Sequence, residues 1–323
     1  MQSSTHHIIV TVTAAATSML VVVLLWKKRI GTASSSPNSL SLLRAERGST
    51  VAITGSAGFL GGIAREAAKE LGCHVVGVDL PSPRSQFVEH AARSDLVDVE
   101  CDLSLGQVSI DQLAKALRET GAHTVIHLAG DGRPSANIHD LVSANIIGTH
   151  TVLQASADAG CVKRVVFASS NHAFLGLRTR ASECGTLEQR LPLMEVEDAG
   201  APDSLYGVSK VCGESLLRLF SVTNKEFDGI AMRIGWAQFD DPAKALPEGA
   251  SESQIAYLRA IWLSRRDTKG FFKATIQLPP LDKNRRFLSF WATSKNTRGV
   301  FNLDGSSSLI GYSPRDNSEN FFD

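Results

Sequence analysis

The chain has 323 residues, with 33 basic and 33 acidic side chains. This balance gives nucleic-acid binding no electrostatic support. Frequent glycine and sparse aromatic residues fit a globular α/β enzyme rather than a fibre or a disordered chain. The five cysteines, at 73, 101, 161, 184 and 212, are odd in number and make no Cys-x-x-Cys pair, so they read as reduced thiols with no metal site expected.

Residues 8–26, IIVTVTAAATSMLVVVLLW, carry no charge. As a helix this stretch is roughly 28 Å long, close to the ~30 Å hydrocarbon core of a bilayer. Lys27, Lys28 and Arg29 follow at once, which would hold the rest of the chain on the cytoplasmic side. Residues 1–30 therefore read as a single N-terminal transmembrane anchor. A cleaved or organelle-targeting segment is the main alternative, although such segments carry their positive charges before the apolar run. Residues 31–48 are Ser-rich and read as a linker. Residues 49–323 read as the folded domain, with its substrate-binding part mainly in 236–323.

Order begins at a β-branched strand, Thr50 to Thr54. A helix is expected over Phe59–Leu71, stopped by Gly72, and strands over 74–80, 96–103 and 123–130. Helices are expected over 111–120 and 138–159, a strand over Arg164–Ser170, a helix from a cap at Asp203 or Ser204 to about Thr223, and a strand over 229–235. This alternation predicts a Rossmann-type α/β fold, a doubly wound parallel sheet with helices on both faces.

The segment TGSAGFLG places Gly55, Gly58 and Gly61 between the first strand and its helix. Gly55 permits the tight turn, Gly58 lets the backbone approach a pyrophosphate and Gly61 lets the helix pack closely on the sheet. Phe59 and Leu60 open the helix, whose free N–H groups and positive dipole end suit an anion. Asp79 ends the second strand, where a carboxylate binds ribose hydroxyls and repels a 2′-phosphate, so NAD is expected rather than NADP. Asp102 and Leu103, after the third strand, suit the adenine; a turn-forming role is the alternative for Asp102. Ala129 and Gly130 end the fourth strand without bulk, as a cofactor lying across the sheet requires. Asn145 is a polar residue in an apolar helix, with either a site role or a structural one.

In SLYGVSK, Tyr206 and Lys210 are four apart on a helix and so share a face. A Tyr phenol titrates near 10 and needs a neighbouring ammonium to serve as a base near neutrality. Ser170, at the end of the fifth strand, is placed to hold the substrate oxygen against that phenol. Arg233 reads as a structural ion-pair partner.

Together, Gly55, Gly58, Gly61, Asp79, Ser170, Tyr206 and Lys210 resemble the extended short-chain dehydrogenase/reductase superfamily over residues 49–323. FASSNHA, LYGVSK, MRIGW, LRAIWLSRRD and LIGYSPRDNSENF further resemble NAD-dependent uronate dehydrogenases. The resemblance implies oxidation of a hexuronate-like sugar acid at its anomeric carbon to a lactone. It assigns Tyr206 as base, and gives Lys210 the tasks of lowering the pKa of Tyr206 and holding the nicotinamide ribose. Ser170 would bind the reacting oxygen, Asn171 and His172 sugar hydroxyls, and Arg259 the carboxylate through its guanidinium fork. Dimerisation through a four-helix bundle is a property of extended relatives. The chain departs from the uronate pattern at Phe59, Gly132 and Trp236, and in a long segment between Ser170 and Tyr206. A nucleotide-sugar epimerase or dehydratase, another reductase of the superfamily, and a non-catalytic NAD-binding scaffold tethered to a membrane are the competing readings. A short region after Gly235 favours a small substrate, a sugar acid or polyol.

Overall fold

The computed structural model describes residues 48–81, 96–133, 135–174, 200–239 and 241–322, all within one compact unit, Leu42–Asp323. The apolar stretch 8–26, the linker up to residue 47 and the segment 175–199 between Ser170 and Tyr206 lie outside them. Among the described residues, no helix is long and apolar enough to cross a membrane.

The strands are β1 (Thr50–Thr54), β2 (His74–Asp79), β3 (Val99–Glu100), β4 (Ala122–His127), β5 (Arg164–Ser170), β6 (Asp228–Ile234), β7 (Trp236–Ala237), β8 (Trp262–Leu263) and β9 (Phe287–Ala292). Seven form one parallel sheet in the order β3-β2-β1-β4-β5-β6-β9, while β7 and β8 pair separately. The helices are α1 (Phe59–Glu70), α2 (Gln107–Thr120), α3 (Ile138–Leu141), α4 (Gly148–Ala159), α5 (Leu205–Arg218), α6 (Glu252–Ile261), α7 (Arg265–Gln277) and α8 (Leu303–Ile310). The strand order reverses between β1 and β4, and the crevice at the carboxyl ends of those strands is where such sheets bind ligands.

Side chains alternate across the sheet. Val51 and Ile53 join Ile63 of α1 and Phe271, Phe272 and Phe290 in one core layer. Ala52 faces the other layer, with Leu113 and Leu117 of α2, Val152 of α4 and Phe167. Both faces are thus covered, which is why the strands read as continuous apolar runs.

The structure differs from the expected elements at several places: the strand expected over 123–130 ends at His127, the helix expected to about Thr223 closes in a π-helical turn, Leu219–Thr223, and three differences are larger. The third strand shrinks to Val99–Glu100 because its approach is diverted: Leu96 O accepts from Ser56 Oγ and Arg65, and Asp98 Oδ2 accepts from Gly77 N at 2.6 Å. The 138–159 helix contains a π-helical turn, Val142–Ile147, between α3 and α4. A seventh strand, β9, adds to β6 in parallel register from Gly229↔Phe287 to Ile234↔Ala292.

Candidate active site

The nucleotide end is built by the turn after β1. Gly55 has φ +69°, a conformation that favours glycine, and a Cβ there would lie 2.8 Å from Ala129 N. A Cβ on Gly61 would lie 2.3 Å from Gly55 O, so α1 can press against the turn only without a side chain. Gly58 is the residue before α1, and no side chain caps that helix. Its leading N–H groups and positive dipole end therefore remain available to an anion, as a pyrophosphate requires. Asp79 is locked beside the same turn: Ala57 N donates to Oδ2 at 2.9 Å and Leu80 N to Oδ1 at 2.8 Å. Asp102 accepts from Ser104 N at 3.0 Å and Ser104 Oγ at 2.6 Å, the turn-forming alternative, and Leu103 beside it is buried.

Across the crevice, Gly130 has φ +153°, and a Cβ there would lie 2.8 Å from Asn145 Oδ1 and 4.0 Å from Lys210 Nζ. Ala129 N donates to Thr54 Oγ1 at 3.3 Å. Asn145 sits in the π-helical turn, a feature frequent at functional sites. It accepts from Asp131 N at 2.7 Å and donates to Asp131 O and to Ser209 Oγ, both at 2.9 Å. It thus ties the end of β4 to α5, which is the structural role.

Ser204 caps α5 by accepting from Gly207 N at 3.1 Å, and that helix carries Tyr206 and Lys210 onto β5. Lys210 is buried, donates to Ala168 O at 2.9 Å and lies 5.6 Å from the Tyr206 ring centroid. Burial away from water lowers its pKa to about 8. The Tyr206 phenol is raised by burial, pulled back by its hydrogen bond with Ser170 and raised further by the Asp131 carboxylate. Ser170, Tyr206 and Lys210 therefore meet at the end of β5, beside the crevice.

Residues 51–235 match the NAD dependent epimerase/dehydratase family, more than half of the chain. The chain belongs to that family. It is 33% identical over 215 residues to the NAD-dependent glucose-6-phosphate dehydrogenase of Haloferax volcanii, covering 65% of this chain and 75% of that protein. It is 31% identical over 269 residues to the L-arabinose 1-dehydrogenase (NAD(P)(+)) of the same organism, covering 83% and 97%. Uronate dehydrogenase from Agrobacterium tumefaciens superposes with a TM-score of 0.62 at 25% identity, over 84% of this chain and 86% of that one. The chain is an NAD-dependent dehydrogenase of the family, with NAD as its cofactor.

After β5 in this family member, Ser170 Oγ donates to Asn171 Oδ1 at 3.3 Å and accepts from His172 N at 3.2 Å. Asn171 Nδ2 donates to Tyr257 Oη on α6 at 2.9 Å. His172 Nδ1 lies 3.0 Å from Asp203, and its ring meets the Tyr206 ring edge-on at 5.6 Å. Asp203 therefore holds His172 rather than capping the helix. The structure does not bring Arg259 to Asn171. Its guanidinium pairs with Glu319 and stacks on Phe322 at 4.6 Å. Gly132 is exposed, Trp236 lies in β7, and Phe59 stacks on Phe239 with ring centroids 4.2 Å apart. Arg233 is a structural ion-pair partner, held by Glu214 through Nε at 3.1 Å and Nη2 at 3.0 Å.

Sequence reasoning missed Asp131, Ser209, Glu214 and Tyr257. Asp131 directly follows the Gly130 it singled out, and Glu214 lies one helical turn beyond Lys210, so proximity to named residues was the available signal.

Two outcomes follow from this geometry. With Asp79 as the expected ribose ligand, Asp79→Asn keeps an acceptor for Ala57 N but removes the charge, so KM for NAD is expected to rise roughly tenfold and preference over NADP to fall, measured by steady-state kinetics with each cofactor. Lys210→Met melts higher than the wild type near neutral pH. The Lys210 folded pKa of about 8 lies below its unfolded value, near 10.4, so the native state carries the penalty of a buried ammonium below pH 8. Wild-type stability gains on the variant as pH rises from 8 toward 10.4, and the difference closes there, readable from Tm against pH.

Proposed function

We propose that the chain oxidises the anomeric carbon of a ring-form sugar to a lactone through Ser170, Tyr206 and Lys210. The observation that carries this reading is the convergence of the Ser170-bonded Tyr206 phenol and the Lys210 ammonium beside the crevice between β1 and β4. Ser170 positions the C1 hydroxyl, and Tyr206 Oη takes its proton as the C1 hydrogen departs with its electron pair, leaving a lactone carbonyl. NAD, when bound, accepts that hydride. Lys210 offers a positive charge that favours the phenolate, and Asn171 and His172 receive sugar hydroxyls. Gly55, Gly58, Phe59, Leu60 and Gly61 would hold the pyrophosphate, Asp79 the adenosine ribose, Asp102 and Leu103 the adenine, and Ala129, Gly130 and Asn145 the nicotinamide half.

The relatives' names point the same way: each names a sugar or sugar derivative as substrate, and one names position 1. The test is NADH formation at 340 nm with aldoses, uronates and polyols. NADH formation with at least one aldose or uronate supports the reading, and NADH formation with polyols alone overturns the anomeric-carbon step. An isomerised sugar nucleotide without NADH formation favours the epimerase instead.

Two further parts of the reading concern the whole protein. Leu205, Val208, Leu219 and Val222 form an exposed apolar stripe along α5 and the turn after it, suited to a second copy of this chain. Light scattering is expected to give a dimer, and Leu205→Glu with Val208→Glu a monomer. Residues 8–26 are proposed to anchor the protein in a membrane with its catalytic domain on the cytoplasmic side; retention in the membrane pellet after alkaline carbonate extraction is the expected result.

A further inference from the structure

We infer that Tyr257 is the residue α6 presents to the sugar, and that the site selects a neutral sugar over a sugar acid or sugar phosphate. This rests on the sugar-dehydrogenase reading and names the substrate class of that same site.

The first observation is a continuous polar chain from the reacting centre. Ser170 Oγ donates to Asn171 Oδ1, and Asn171 Nδ2 donates to Tyr257 Oη. Tyr257 is thereby tied to the residue that follows the catalytic serine. It also packs, with Trp236, against the cluster of Phe174, Ile261 and Trp291. Its phenol is a neutral group that both donates and accepts, the chemistry that reads a hydroxyl.

The second observation is helix geometry. Tyr257 and Arg259 are two positions apart on α6, about 200° around the axis at ~100° per residue. A helix that turns Tyr257 toward Asn171 turns Arg259 away from it. Arg259 is spent on Glu319 and Phe322, in and beside the C-terminal turn Ser318–Phe321. The cation that would clamp a carboxylate already holds one from its own chain.

The third observation is that the other cations around the site are answered internally. Lys210 Nζ donates to Ala168 O, Arg233 pairs with Glu214, and Arg133 pairs with Asp131 and Asp140. The His172 ring is likewise engaged, its Nδ1 facing Asp203. An anionic substrate group would be stripped of water beside Asp131 and Asp203, while Lys210, Arg233 and Arg133 each already have an acceptor within the chain. Burying a charge without a partner is far more costly than burying a hydroxyl that finds one. Sites built from hydrogen bonds discriminate sharply on this basis.

The experiment uses the full chain with NAD. Values of kcat/KM are measured for neutral pentoses and hexoses, for galacturonate and glucuronate, and for glucose 6-phosphate. Expected is at least about a tenfold preference for a neutral aldose. Tyr257→Phe is expected to raise KM for that aldose about tenfold with kcat within about threefold, the mark of lost ground-state binding. Tyr257→Arg is expected to move the preference toward the uronates. A wild type that prefers a uronate or the phosphate overturns the inference while leaving the dehydrogenase reading intact, as does an unchanged KM in Tyr257→Phe. Calorimetry of the same sugars on NADH-loaded Tyr206→Phe protein keeps the two readings separable. If no sugar is oxidised the dehydrogenase reading falls, and tighter binding of neutral than of anionic sugars still decides this one.

Discussion

Tyr206→Phe lowers kcat for sugar oxidation by about 10²–10⁴-fold, the range for loss of a positioned general base. Each factor of ten corresponds to about 1.4 kcal/mol of barrier. The ring stays, so its edge-on packing with His172 and the position of Lys210 beneath it should persist. Binding of NADH, followed by fluorescence, should therefore hardly change. Oxidation should accelerate as pH rises, because the proposed base is the deprotonated phenol and burial holds that phenol above its ordinary range in the free protein. The Phe variant should lose this rising limb. Full turnover by the variant would remove Tyr206 from the mechanism and assign the base to another group.

The parts of this site that were legible in the sequence are those fixed by local geometry. A glycine turn between strand and helix, and a Tyr and Lys four apart, each depend on neighbours close in the chain, so Gly55, Gly61, Tyr206 and Lys210 stand where their spacing placed them. The strand ends at Ser170 and Asp79 were legible because apolar runs end abruptly there. What was not legible depends on packing between distant segments. β9 is a fully buried run, FLSFWA, and such a run cannot be told from a buried helix by its period. The π-helical turn around Asn145 is invisible to a 3.6-residue period, because one added residue per turn leaves the composition unchanged. The surroundings of Arg259 have the same origin. Motif similarity assigned its guanidinium to a carboxylate clamp, whereas its pairing with Glu319 and the approach of Tyr257 to Asn171 depend on how α6 packs against distant segments.

The network behind the reacting residues predicts the largest loss of stability. Glu214 lies four residues after Lys210 on α5, one turn along the same face. Its carboxylate accepts from Ser169 Oγ at 2.5 Å and takes Arg233 in a two-pronged pair. The Glu214 and Arg233 side chains are only 11% and 6% exposed, and the Arg233 guanidinium lies 3.8 Å from the Phe174 ring centroid. In Glu214→Ala the guanidinium keeps its charge but loses its carboxylate in a dry, aromatic environment. Breaking one side of such a buried pair costs about 3–5 kcal/mol. At roughly 2–4 °C per kcal/mol for a domain of this order, Tm should fall by roughly 6–20 °C. Glu214→Gln keeps the acceptor for Ser169 and should fall less. The same carboxylate pins α5 to β5 beside Ser170, so the Ala variant should also lose kcat at temperatures where it remains folded, with KM for NAD little changed. A Glu214→Ala protein with wild-type Tm would mean that the Arg233 charge finds water on mutation and that the pair is not sealed in the core. Loss of kcat without loss of Tm would instead assign Glu214 to positioning Lys210 alone.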